Sequence, residues 1–329
     1  PKNPCSALGF IASGLEQRFR THKHPITLIS CDNLSHNGNK LENALLQFVT
    51  LRSPDNPAFL GWIKEKCSFP NTMVDRIVPA VTEQQIEALA QQYGLEDRAP
   101  VFTETFPQWV IEKRFAGPMP PWDKVGAEYV DDVDAFEALK LRTLNASHSL
   151  IAYLGRLYKK QTVADAVAEP VIRKAVRALM KESAATLSMP ADFSVSDYHE
   201  ALLNRFENTA LHHRCQQIAM DGSQKIPQRL IPIIEALTAK GVAPNWSCLA
   251  IAMWIAYLRR TETDEIDDPL AQSLKQQCSA NTLDTVEKIL QLHQIFPPEF
   301  ADLDGVKKGV LFWLDQHENG DLFEAIKNT

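Results

Sequence analysis

Several things are missing from this sequence, and each absence argues against a class of protein. The six cysteines, Cys5, Cys31, Cys67, Cys215, Cys248 and Cys278, lie far apart and form no CxxC pair. That argues against a zinc site or a disulfide scaffold and suits a reducing cytoplasm, the expected location. There is no basic tract, and 34 Lys and Arg against 41 Asp and Glu leave a net charge of −7. Nucleic acid and anionic membrane are therefore poor partners. No apolar run reaches membrane-spanning length, the opening residues do not read as a signal peptide, and no repeat or low-complexity tract appears. What remains is ordinary for a globular chain. Its 329 residues, 45% hydrophobic and 23% charged, suffice for one or two domains with a sizeable core.

The chain starts at Pro1 and runs at once into an amphipathic helix over Ala7–Thr21, as though it began inside a fold. The apolar run Pro25–Ser30 predicts a buried parallel strand. Cys31, Asp32 and Asn33 then lie beyond its carboxyl end, where open α/β sheets bind ligands. A turn or helix cap would also account for Asn33. Helices are expected over Lys40–Thr50, Phe59–Cys67 and Thr82–Tyr93, the last with Thr82 and Gln85 spaced as a capping box. Strands are expected over Met73–Val78 and within Glu104–Glu112. Asp75 and Arg76 place opposite charges in the first of these and need partners if buried.

The stiff break Gly117–Pro121 marks a domain boundary between it and Asp131. Beyond it the pattern is helical over Val133–Lys159, Val163–Ala185, Ser196–Asn208, Pro227–Ala239, Trp246–Arg260, Pro269–Gln277, Thr282–Gln294 and Pro298–Gln316, with a short helix near the end. The expected fold is mostly α: the tail of an α/β domain over residues 1–130, then an all-α domain over 131–329.

The stretch Phe136–Tyr153 concentrates the chemistry. At 100° per residue, Lys140, Leu144, His148 and Ile151 share one side of a helix, with Glu137 close by and Asn145 at the margin. Leucines spread over the rest of the circumference, so the helix reads as buried while carrying a Lys, an Asn, a His and a Glu. A buried lysine tends to shed its proton, which suits acid–base work near neutral pH. The bland alternative is a boundary helix whose Lys140 snorkels to water and whose Asn145 and His148 are merely satisfied.

Four stretches together are more specific than any one: Ser30–Gly38 (SCDNLSHNG), Phe69–Pro79 (FPNTMVDRIVP), Lys140–His148 (KLRTLNASH) and Asp221–Arg229 (DGSQKIPQR). In their order and spacing the chain resembles the polyol-specific long-chain dehydrogenase/reductase, or mannitol dehydrogenase, family over essentially its whole length. The resemblance implies a Rossmann-type remnant followed by a helical substrate domain, with the chain expected to be the C-terminal two-thirds of a family protein. The family's glycine-rich nucleotide turn has no match here, since Gly9 and Gly14 fall within a predicted helix.

The resemblance also implies roles, position by position. Lys140 matches the general acid/base, Asn33 and Asn145 the amides that stabilise an alkoxide-like oxygen, and Glu137 a glutamate on a proton path to the lysine. His148 and Lys225 match substrate-binding residues; Asp32, Asn33 and Asp75 fall on the cofactor side, the cofactor being NAD with NADP not distinguished. No metal is implied, because lysine takes the place that a zinc ion fills elsewhere. One position departs: Gln217 stands where mannitol dehydrogenases carry a substrate-binding Arg. Arg214–Lys225 and Thr186–Pro190 are instead similar to the fructuronate reductase branch, so the expected substrate is a small sugar acid (D-fructuronate, reduced to D-mannonate). Its carboxylate calls for a cation, with Arg214, Lys225 and Arg229 as candidates, although Arg229 could equally be a surface charge. The alternatives are mannitol or arabinitol 2-dehydrogenase chemistry, or a catalytically silent substrate-domain fragment.

Overall fold

The computed structural model of the protein describes residues 4–191 and 193–329, without the side chains of 301 and 302. About 61% of the chain is helical, and its contacts divide it into two units. The first comprises Pro1–Ile77 and Thr105–Glu137, and the second Val78–Glu104 and Ala138–Thr329.

In the first unit, helix α1 (Ala7–Thr21) begins where the Ser6 hydroxyl accepts from the Gly9 amide. Strand β1 (Ile26–Thr27) pairs in parallel with β2 (Cys67–Ser68), and α2 (Asn37–Arg52) and α3 (Pro57–Lys66) lie between them in the chain. The strand expected over Pro25–Ser30 is therefore parallel but shorter. Only two of its residues pair, and they are half-buried, because the partner strand is itself only two residues long. A second sheet holds β3 (Thr72–Asp75) antiparallel to β4 (Gln108–Glu112), which in turn runs parallel to β5 (Ala127–Val130). The core of this unit is Ala12 and Leu15 of α1, Leu45 and Val49 of α2, and Phe59, Trp62 and Ile63 of α3, closed by Phe69. These positions recur at three- and four-residue spacing, so each helix presents one apolar stripe inward.

The second unit begins with α4 (Glu83–Tyr93), which starts on the expected capping box: Thr82 and Gln85 satisfy each other's backbone amides. The single helix expected over Val133–Lys159 is broken up. Helix α5 (Asp134–Leu139) leads into a π-helical segment, Lys140–Asn145, and then into α6 (Ala146–Leu157). The next expected helix is likewise two, α7 (Val163–Val167) and α8 (Pro170–Ala184), because Pro170 has no amide to continue the ladder and starts a new helix instead. There follow α9 (Val195–Phe206), α10 (Cys215–Ala219), α11 (Gly222–Arg229), α12 (Ile231–Thr238), α13 (Asn245–Arg260), α14 (Ala271–Gln277), α15 (Thr282–Leu290), α16 (Asp304–Glu318) and α17 (Leu322–Asn328).

Helix α13 is the axis of this unit. Every residue from Ser247 to Leu258 is buried, and α6 and α16 pack along it. A helix apolar on all sides forms only where neighbours cover its whole circumference. The unit also buries one ion pair, in which Arg205 on α9 donates to both oxygens of Glu104 at 2.9 and 2.7 Å. No helix among the described residues is long and apolar enough to cross a membrane.

Candidate active site

The residues singled out from the sequence fall in both units. In the first, Asp32 and Asn33 are exposed on the loop after β1. Asn37 braces that loop. Its side-chain amide donates to the carbonyls of Ser30, Asp32 and Thr72, and its carbonyl accepts from the Thr72 amide at 2.9 Å. The neighbouring Gly38 is required sterically, because a Cβ there would sit 2.4 Å from the Pro70 carbonyl oxygen. Asn37, within the Ser30–Gly38 motif, is what ties the Asp32–Asn33 loop to β3. Asp75 is buried on β3, 2% exposed.

Glu137 is also buried, and both of its oxygens are used: they accept from the Ser35 hydroxyl and from the His36 amide at 3.0 Å. It thus anchors the left-handed turn at His36 from which α2 starts. His36, Asp134 and Glu137 each bring one potential metal-binding atom within 4.8 Å of the others. The Glu137 carboxylate is also held by the turn.

In the second unit, Lys140 and Asn145 are the two ends of the π-helical segment, with Lys140 half-buried and Asn145 buried. Here the 100° helical wheel fails. In π geometry hydrogen bonds run i→i+5, as from the Ala146 amide to the Leu141 carbonyl, so the 100° spacing does not hold across the segment. The segment is held at its back by Thr143 against Ser183, 3.2 Å, and by Arg142 on the Thr186 carbonyl, 2.9 Å. The Asn145 side chain caps no backbone group.

Arg229 is no surface charge. Its guanidinium reaches the Asn145 carbonyl at 3.2 Å and the Ser149 hydroxyl at 3.1 Å, and burial pulls its pKa down to about 10. His148 is buried one turn further along α6. Burial, then the charges of its neighbours, push its pKa well below the usual value, so it is neutral at pH 7. Lys225 donates to the carbonyls of Met220 and Ile218 at 2.6 and 3.2 Å, and burial followed by Arg229 brings its pKa down to about 8. Arg214, by contrast, is exposed before α10, and no hydrogen bond among the described residues joins it to this group.

The Asp221–Arg229 motif is organised by residues that sequence reading passed over. Gly222 stands where a Cβ would meet Trp254 Nε1 at 2.6 Å and the Tyr153 hydroxyl at 2.8 Å. Asp268 accepts from the Ser223 amide and hydroxyl at 2.8 and 2.7 Å, fixing the start of α11 and with it the direction of Lys225. The only signal for Asp268 was the turn-forming Asp267-Asp268-Pro269.

A Rossmann-type unit and a helical unit, the latter carrying Lys140, Asn145, His148, Lys225 and Arg229, define a dehydrogenase-like build. The chain matches the mannitol dehydrogenase Rossmann domain over residues 1–124 and the mannitol dehydrogenase C-terminal domain over residues 132–315. The chain belongs to the mannitol dehydrogenase family. It is 42% identical to the D-mannonate oxidoreductase of Escherichia coli over 93% of this chain and 64% of that protein. It is 36% identical to a mannitol 2-dehydrogenase of Phaeosphaeria nodorum over 91% of this chain and 53% of that one. The Pseudomonas fluorescens mannitol 2-dehydrogenase, solved as a ternary complex with NAD and D-mannitol, superposes with a TM-score of 0.81 at 31% identity, covering 99% of this chain and 66% of that one. The chain therefore spans less than two thirds of the length of these relatives.

Proposed function

We propose that this chain carries the substrate-handling part of an NAD-dependent oxidoreductase that reduces the C2 ketone of a sugar acid, D-fructuronate, to D-mannonate. The observation that supports the reading is the π-helical segment bounded by Lys140 and Asn145, with a depressed-pKa lysine, Lys225, and Arg229 in the same unit. The 42% identity with a D-mannonate oxidoreductase and Gln217 in the mannitol-dehydrogenase arginine position favour the acid over the polyol. For the cofactor, the exposed Asp32–Asn33 loop beyond a parallel strand suits the nicotinamide side of a dinucleotide. When bound, NADH supplies the hydride.

The side chains do the rest. Reduction leaves negative charge on the C2 oxygen, and a donor aimed at such an oxygen contributes ~2.7–4 kcal/mol to the transition state. Asn145 supplies that N–H, and Lys140 supplies the proton that neutralises the oxygen. Asn33 is assigned the second amide on the family resemblance. Lys225 holds the carboxylate as a point charge, and Arg229 keeps the Asn145 backbone in place.

The test is NADH oxidation by the full-length protein with D-fructuronate and with fructose, in wild type and Lys140→Ala. Fructuronate is expected to be preferred, and Lys140→Ala to lose roughly 10²–10⁴-fold in turnover, the range for general acid–base catalysis. Normal turnover in the variant removes the assignment. Preference for fructose favours the mannitol reading, which the similarity to mannitol 2-dehydrogenases supports.

A further inference from the structure

The reading above leaves one half-buried side chain, next to His148, without a task. His213 lies just before α10 and precedes Arg214, which forms an isolated antiparallel bridge with Thr162. Its carbonyl accepts from the Val163 amide at 2.9 Å, the Cys215 amide donates to the Gln161 carbonyl at 2.9 Å, and His212 is held in the left-handed region. The backbone therefore fixes the ring without help from a side-chain bond. The ring stands edge-on to His148, centroids 5.2 Å apart and planes at 81°, and the Phe206 ring lies 4.7 Å from His148.

Two ring nitrogens, His213 Nδ1 and His148 Nε2, are shielded from solvent and have no hydrogen-bond partner among the described residues. Native proteins leave few such atoms, and each calls for a reason. Two of them on adjacent rings, beside Lys225, point to a ligand.

We infer that His213 is a substrate-positioning residue which, with His148, grips neighbouring hydroxyl groups of the polyhydroxylated chain. The chemistry of the pair selects hydroxyls over a charged group. Burial and the nearby Lys225 charge bring the His213 pKa down to about 4, and His148 is likewise neutral. A neutral imidazole donates at one nitrogen and accepts at the other. A hydroxyl does both, so vicinal hydroxyls match two neutral rings in either tautomer. A carboxylate only accepts, and is better served by the Lys225 ammonium. Two of that ammonium's three protons are placed on carbonyls. The division of labour is charge recognition by Lys225 and hydroxyl recognition by the two rings. It gives this chain contacts to the substrate beside the position where Gln217 replaces the family's arginine.

The inference rests on the sugar-substrate reading, and its test separates the two. In the full-length enzyme, His213→Leu is expected to raise the KM for D-fructuronate roughly tenfold or more, the scale of a buried partner left unpaired. Its kcat and its KM for NADH are expected to stay near wild type. His213→Asn, whose amide reaches the Nδ1 position, is expected to recover most of the KM. An unchanged KM in His213→Leu, or an Asn variant as impaired as the Leu variant, overturns the inference. Should the Leu variant not fold, ¹⁵N-imidazole spectra of the wild type decide. Saturating D-mannonate is expected to shift the His213 Nδ1 resonance, assigned by its loss in His213→Asn. No shift with D-mannonate or D-mannitol overturns the hydroxyl grip. A shift with D-mannitol alone keeps the grip and sinks the sugar-acid reading, as does loss of fructuronate reduction in the wild type.

Discussion

Lys225 shows how one residue's surroundings set a measurable property. Its pKa of about 8 comes first from burial and second from Arg229, with the acidic groups Asp221, Asp268 and Asp267 pulling the other way. A carboxylate is held only by the protonated amine, so the KM for a sugar acid is expected to rise as pH climbs through about 8. Lys225→Met is expected to show a raised KM at pH 7 and no further rise across that pH. A KM that climbs equally in both proteins removes Lys225 from carboxylate binding. The sign for stability is opposite. Between the folded value and the free-lysine value of about 10.4, the unfolded chain holds a proton that the folded one lacks, so this residue's contribution to stability increases with pH there. Both signs follow from one cause, a cation held where it is poorly solvated.

At the scale of elements, the π-turn sets the direction of Lys140 relative to Asn145, on which the proposed function depends. It contains one residue more than an α-turn would need. Deleting Leu141, which is only half-buried, is expected to return the segment to α geometry and swing Lys140 away from the Asn145–His148 side. Far-UV circular dichroism should be kept, while turnover falls by ~10²-fold or more, the cost of a displacement of about 1 Å in a positioned group. Retained turnover would show that the register of this turn is not used.

No local signal in KLRTLN announces such a turn, because i→i+5 bonding arises from the packing of Thr143 and Arg142 against α8 and the residues after it. Elements with local causes were legible: α1 has its expected bounds, and α4 starts on the Thr82–Gln85 box. The short β1 was not, since strand length depends on a partner some forty residues away in the chain. The same division runs through the candidate site. Lys140, Asn145, His148 and Lys225 stand in motifs, whereas His213 and Asp268 gain their meaning only from rings and amides brought to them by the fold.

At the scale of the molecule, the helical unit does not begin where the C-terminal family domain does. Residues 78–104 belong to it, ending on Glu104, whose carboxylate is the buried partner of Arg205; the two side chains are 3% and 6% exposed. The match to the C-terminal domain starts only at residue 132. A fragment of residues 132–329 keeps the α13 core intact but leaves the Arg205 guanidinium without that carboxylate. Breaking a buried pair from one side costs roughly 3–5 kcal/mol, because the remaining charge is still desolvated. Replacing both charges by apolar groups is often neutral. The 132–329 fragment is therefore expected to unfold at low urea, and its Arg205→Leu form to recover much of the lost stability, although it contains no added contact. In the 329-residue chain the same substitution is expected to destabilise, since it removes the guanidinium that faces the buried Glu104 carboxylate. Urea melts of the four proteins check the reversal of sign, and a substitution that acts in the same direction in both backgrounds would show that this ion pair does not join 78–104 to the helical unit.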